Sequence, residues 1–382
     1  MKKLLIATAA LAMVAGTAQA QSSVTVYGII DTGYNSLENT NSAGTKVERS
    51  RIIAGDAGAG GEAATSRLGF RGSEDLGGGL KANFIIETGI GASTTVVGDR
   101  AFWAGLEDAK LGELRIGRQD TFGRTVWLAN DQLAAANVVG NLAHSNAGTT
   151  IDGTPAPFAA ASAADSSNTS VGSHTARLIS ANYLSPRKNG VQLSVGVMQD
   201  NTEQTGTAKV ETGNGSQVGL NYVAGKLTAG IAYLEAKTTA NTSAGVLNSS
   251  LKTKETVGAA SYNLGFARVA YIYNKRDINQ GVPTNGTVGP VTGQAERESH
   301  SFSASVPMGA KLVGRVGYGF GEYKGGASNS YNGDLKGMQA ALNYNLSKRT
   351  MAYAIYGDES REISATTKAK AKEYSVGVRH SF

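Results

Sequence analysis

The sequence predicts an all-β fold, a 16-stranded antiparallel transmembrane β-barrel with a long third loop folded into its pore. Three observations predict it. The last ten residues alternate, so that Tyr374, Val376, Val378, His380 and Phe382 share one strand face while Ser375, Gly377, Arg379 and Ser381 share the other. A face of Tyr and Val suits hydrocarbon, and a face of Ser, Gly and Arg suits a wet interior, as in an outer-membrane barrel. The same alternation recurs along the chain, with connections that are short and long by turns. Beyond residue 20 no stretch approaches the roughly 18 to 20 consecutive apolar residues that a spanning helix needs.

Residues 1–20 read as a secretory signal. Met1-Lys2-Lys3 is charged, Leu4 to Val14 is apolar, and Ala18-Gln19-Ala20 is a small-residue cleavage site, which leaves 21–382 as the barrel. The first strand is expected at 22–35, followed by a long link at 36–61. Strands at 62–74 and 79–91 flank the turn Asp75-Leu76-Gly77-Gly78, and a short link, 92–96, leads to strands at 97–108 and 111–119. The third link, 120–172, is too long for an unstructured connection in a compact domain. Its stretch from Asp131 to Val139 has helix-forming composition and is apolar enough to seek burial, which favours a loop folded into the lumen. Strands follow at 173–185 and 190–200 around Pro186-Arg187-Lys188-Asn189, at 214–224 and 226–237 around Gly225, and at 253–264 and 266–277 around Gly265. The last are expected at 296–306, 310–322, 334–345, 350–358 and 372–382. Each is long enough to cross a bilayer tilted, for which about 9 to 11 residues suffice. The links at 201–213, 238–252, 278–295, 323–333 and 359–371 are long and rich in small polar residues. Short turns on one side and long loops on the other are expected of an outer-membrane barrel. An even strand count also lets the last strand pair with the first, here against Val24 to Asp31, so that no edge is left in lipid.

Composition narrows the function classes. The net charge of +6 falls to +4 once Lys2 and Lys3 leave, far from a nucleic-acid-binding stripe. There is no Cys, so neither disulfides nor thiolate metal sites contribute. His144, His174, His300 and His380 are scattered without metal-ligand spacing, and no cofactor is expected. Residues 55–61 resemble a phosphate-cradling loop only in their glycines, since no Lys-Ser/Thr pair and no crossover helix follow. Glu74-Asp75 reads as a turn, and no nucleophile, base and orienting group stand out as a catalytic set.

Several segments resemble the Gram-negative porin family of trimeric diffusion channels. They are Ser23 to Asp31, Ser66 to Ala82, Arg100 to Leu106, Gly112 to Gln119 and the terminal strand. The resemblance spans the mature chain and is most specific from Arg67 to Lys81 and at the C-terminus. It implies a homotrimer in outer-membrane lipid, a third loop that forms a constriction, and passive passage of ions and small hydrophilic solutes. The terminal strand, with Tyr374 and Phe382, is then the expected signal to the barrel-assembly machinery.

Strand parity bears on the charges. Leu68, Phe70 and Gly72 on one face place Arg67 and Arg71 on the other; Ala101, Trp103 and Gly105 leave Arg100 opposite; if Leu178 faces lipid, Arg177 points inward. A charge on the lipid face near the midplane costs about 2 to 4 kcal/mol. The resemblance implies a basic ladder at the constriction on the strands that carry Arg67, Arg71, Arg100 and Arg177, with Lys81, Arg115 and Arg118 as weaker candidates. Acids to oppose them are few: Asp131 first, then Asp120, Asp152 and Asp165. The family's acidic loop motif is not recognisable here. A better populated basic side implies weak to moderate anion preference.

Overall fold

The structure, a computed structural model, describes residues 23–40, 44–54, 61–91, 95–96, 100–143, 177–199, 201–205, 208–241, 247–281, 293–325, 333–364 and 367–382. In chain order the strands are β1 (Ser23–Thr40), β2 (Lys46–Ala54), β3 (Arg67–Gly77), β4 (Leu80–Ile90), β5 (Thr95–Val96), β6 (Phe102–Asp108), β7 (Gly112–Asp120), β8 (Arg177–Leu184), β9 (Val191–Met198) and β10 (Asn201–Thr205). They continue as β11 (Ala208–Ala224), β12 (Leu227–Asn241), β13 (Leu247–Asn263), β14 (Arg268–Gly281), β15 (Gly293–Met308), β16 (Leu312–Gly325), β17 (Gly333–Asn345), β18 (Thr350–Ser364) and β19 (Thr367–Ser381). One helix, α1 (Phe122–Asn130), follows β7. Among the described residues the single sheet has nineteen strands, of which β2, β5 and β10 are short additions beside longer neighbours. The other sixteen form a closed antiparallel barrel.

Closure is made by β1, which pairs with β3 through Ser23–Ile29 and with β19 through Ile29–Thr40. Gly28 and Phe382 add a reciprocal pair of backbone bonds, each 3.1 Å. The seam is therefore displaced from the expected partner, Val24 to Asp31, toward the other end of β1. Stagger of this kind is what closing a tilted sheet requires.

Alternation sorts the two faces as lipid and water demand. On β19 Tyr374, Val376 and Val378 are exposed outward, while Ser375 and Glu373 are buried on the inner face. Outward rings gather on neighbouring strands: His300 stacks on Phe320 at 5.2 Å, and Tyr356 meets Tyr374 at 4.9 Å. Tyr and its kin suit the membrane interface, with ring in the headgroup region and polar atom wet.

Several strands run well beyond their expected ends. β13, β14, β15, β18 and β19 continue into residues 247–252, 278–281, 293–295, 359–364 and 367–371, which read as links. There the outward positions carry Lys252, Lys368 and Lys370, so the two-residue period persists although the apolar face is gone. Alternation sought as apolar against polar stops where the wall leaves the hydrocarbon.

Candidate functional site

The segment after β7 packs against inner-face residues of the wall. Thr121 caps α1 by accepting the Arg124 N–H at 3.1 Å, and the Phe122 N–H bonds to Gln217 Oε1 at 2.9 Å. Val126 and Trp127 are fully buried against Ala232, Val257, Ala259 and Ile272, inner-face residues of β12, β13 and β14. The helix thus lies at 122–130, upstream of Asp131 to Val139, where composition suggests one. Asp131 instead begins a turn: its carboxylate accepts the Leu133 N–H at 3.0 Å and the Ala135 N–H at 2.8 Å. These bonds hold Ala134 and Ala135 in the left-handed region, with φ of 60° and 55°, which residues bearing a Cβ seldom adopt. Burial raises the Asp131 carboxyl above its ordinary range, although these N–H groups, Asn141 and Arg315 favour its charged form.

The rest of the segment docks on the far wall. Val139 N–H bonds to Glu373 Oε2 at 2.8 Å, Gly140 N–H to Glu359 Oε2 at 3.2 Å, and Gln339 Nε2 donates to Val138 O at 2.8 Å. Arg315 donates to the Gln132 carbonyl, and Arg297 Nη2 donates to Leu142 O at 2.9 Å. Asn137 meets residues 61–66 through Gly61 N–H to Asn137 O, 2.6 Å, and Asn137 N–H to Glu62 O, 2.9 Å. Glycines make room for this path. A Cβ on Gly319 would stand 2.9 Å from Leu142 Cβ, and one on Gly357 would overlap the Val139 carbonyl.

Beside this inner segment the arginines gather. Arg100 Nε donates to Glu87 Oε1 at 2.6 Å, and both side chains are nearly buried. Arg177 and Arg124 converge on Asp120 Oδ1, at 2.9 and 3.0 Å. Arg67 lies within electrostatic reach of Arg100, Arg177, Glu87 and Arg379. Arg71 stands apart, with its guanidinium 5.3 Å from the centroid of the Tyr27 ring; the Tyr27 hydroxyl donates to Glu87 at 3.0 Å. Arg124 and Glu87 escape a reading that looks for strand arginines and loop acids; inner-face parity on β4 could have marked Glu87, and Arg379 already stands on the polar face of the terminal strand.

On β6 and β8 the inward face is the opposite of the expected one. On β6 Trp103 is 9% exposed while Phe102 and Leu106 are exposed, so Trp103 faces inward; Arg100 reaches Glu87 because it precedes the strand rather than belonging to it. On β8 Leu178 is 5% exposed in a cluster with Met198, Leu234 and Ala236, whereas Tyr183 is outward. Arg177 thus has outward parity and joins the cluster at the strand's end through Asp120. Among the weaker candidates, Arg115 lies 4.5 Å over the Trp103 ring and bonds to Glu113 at 2.5 Å on the inner face. Arg118 shares the outward parity of Leu114 and Ile116, which a separation of three from Arg115 requires. Lys81 pairs in register with Glu107 near the short-turn end of β4. Asp152, Asp165, His144 and His174 lie outside the described residues, as do residues 1–20. Among the described residues no group of three or more His, Cys, Asp or Glu is placed to hold a metal ion.

A closed barrel of sixteen tilted strands is wide enough for an aqueous channel, and its inner charges define a membrane pore protein. Residues 7–364 match the family model described as Gram-negative porin. The chain is 32% identical to outer membrane porin protein 32 of Delftia acidovorans and 28% identical to an outer membrane porin protein of Bordetella pertussis, over the whole of both chains in each case. The anion-selective porin from Comamonas acidovorans superposes with a TM-score of 0.69 at 24% identity, covering 95% of this chain and all of that one. The chain belongs to the Gram-negative porin family and forms a channel in the outer membrane.

Proposed function

We propose that the channel passes ions and small hydrophilic solutes passively and prefers anions, with Arg67, Arg100 and Arg177 acting where residues 121–143 narrow the lumen. The charge balance carries this reading. Arg67, Arg100, Arg177 and Arg124 adjoin Glu87 and Asp120, so guanidiniums outnumber carboxylates there. Asp131, the first acid expected to oppose them, is occupied by the backbone of its own turn. Fixed positive charge beside a narrow wet path favours anions. The anion-selective porin of the same fold supports the sign.

A homotrimer, removal of residues 1–20 on export, and recognition of the Tyr374 to Phe382 strand by the barrel-assembly machinery complete the proposal, each supported by the family resemblance. The test is the reversal potential of a reconstituted bilayer under a KCl gradient. Weak to moderate anion preference is expected, and Arg100→Gln should reduce it. Cation preference in the natural chain would overturn the reading, and unchanged selectivity in the variant would remove Arg100 from the constriction.

A further inference from the structure

On the inner face beside the docked loop, β14 and β15 set two arginines directly opposite each other. Arg276 and Arg297 are register partners, 3% and 2% exposed. Residues so paired hold their Cβ atoms about 5 Å apart, and like charges there repel. Glu255 and Glu359 are within electrostatic reach and supply counter-charge, and each also accepts a neutral donor. Glu255, the register partner of Arg276, accepts Asn274 Nδ2 at 2.9 Å, and Glu359 accepts the Gly140 N–H. Arg297 is anchored to Leu142 O. Arg276 has no hydrogen-bond partner at Nε or Nη2, although both atoms are buried. Those two N–H groups lie on one edge of the planar guanidinium and form a fork that matches two oxygens on one centre.

The place in the channel fits a solute in transit. Ile272, on the same face of β14, packs in the cluster with Trp127 of α1. Arg276 is four residues further from the short turn, roughly 14 Å along the strand, and so lies on the extracellular side of α1, level with the part of the inner loop that Arg297 touches at Leu142 O.

We propose that Arg276, with Arg297 beside it, binds an oxyanion that presents two oxygens, a carboxylate or a phosphate, on the extracellular side of α1. The role in transit rests on the reading of the channel as anion-preferring; binding itself can be measured without conduction. Inorganic phosphate is titrated calorimetrically into the full-length folded protein in detergent, with folding checked by heat-modifiable electrophoretic mobility. Arg276→Gln should weaken binding by roughly tenfold or more, and Arg276→Lys, which keeps the charge and loses the fork, should weaken it less. Equal affinity in the natural chain and either variant that folds, or no binding by the natural chain, would overturn the site. Phosphate binding in a chain that shows no anion preference in KCl would support the site while sinking the conduction reading.

Discussion

Glu62 is 1% exposed beneath the tip of the inner loop, where its Oε1 accepts Asn137 Nδ2 at 2.9 Å and its Oε2 has no hydrogen-bond partner. Burial raises its carboxyl to about 7; Asn137 and Arg51 favour the charged form, and Asp31 opposes it. The folded value exceeds the unfolded one, so the contribution to docking is complete below about pH 4.5 and is lost as pH rises through about 7. Its ceiling is about 3 kcal/mol. Residues 61–66 and the loop tip should therefore loosen between about pH 5 and pH 8. Hydrogen exchange of the Gly61 and Asn137 amides, corrected for intrinsic rate, should show protection falling over that range in the natural chain and staying level in Glu62→Gln. Equal protection at both pH values in the natural chain would take Glu62 out of this role.

The inner loop is an element without a hydrophobic core of its own, and its position depends on the wall being smooth beneath it. Gly317, Gly319, Gly337 and Gly357 face inward under Leu133, Leu142, Gly140 and Val139, so part of the chain's abundance of glycine serves a docking surface. Gly357→Leu should displace Val138 and Val139, at about 1 to 3 kcal/mol for overpacking, and raise single-channel conductance while leaving the barrel closed. Conductance equal to that of the natural chain would mean that residues 138–140 do not limit the path. This docking was only half legible beforehand. The length of the third link and its apolar stretch pointed inward, but the helix fell on Phe122–Asn130, because Thr121 supplies a cap there and the Asp131 carboxylate stabilises a left-handed turn in place of a continuing helix. The sixteen wall strands were legible from their alternation, whereas β2, β5 and β10 lie in residues that read as links. Which face was inward was less so: Trp103 and Leu178 are large and apolar yet face the lumen, where inner packing buries them as well as lipid would.

At the scale of the whole molecule, one seam decides whether there is a barrel at all. Every other neighbouring pair of wall strands is joined through the chain between them, whereas β1 and β19 must find each other from opposite ends of the sequence. Their register runs from Ile29↔Ser381 to Thr40↔Lys370, and Phe382 extends it by the reciprocal pair with Gly28 while its ring covers the space that a Gly28 side chain would fill. An open seam would leave two rows of backbone N–H and C=O groups in hydrocarbon, each costing several kcal/mol. Closure is therefore close to all-or-none, and its last contact has leverage beyond its size. Deleting Phe382 removes both of the Gly28 bonds at the rim, and should lower the yield and rate of folding into lipid vesicles, read as the fraction of heat-modifiable band, far more than it lowers the stability of barrels already closed. Replacing Phe382 by Ala, which keeps the backbone pair and loses the ring, should fall between the two. If the deletion folds as fast and as fully as the natural chain, the seam closes without its terminal contact and the weight shifts to the twelve register pairs above it.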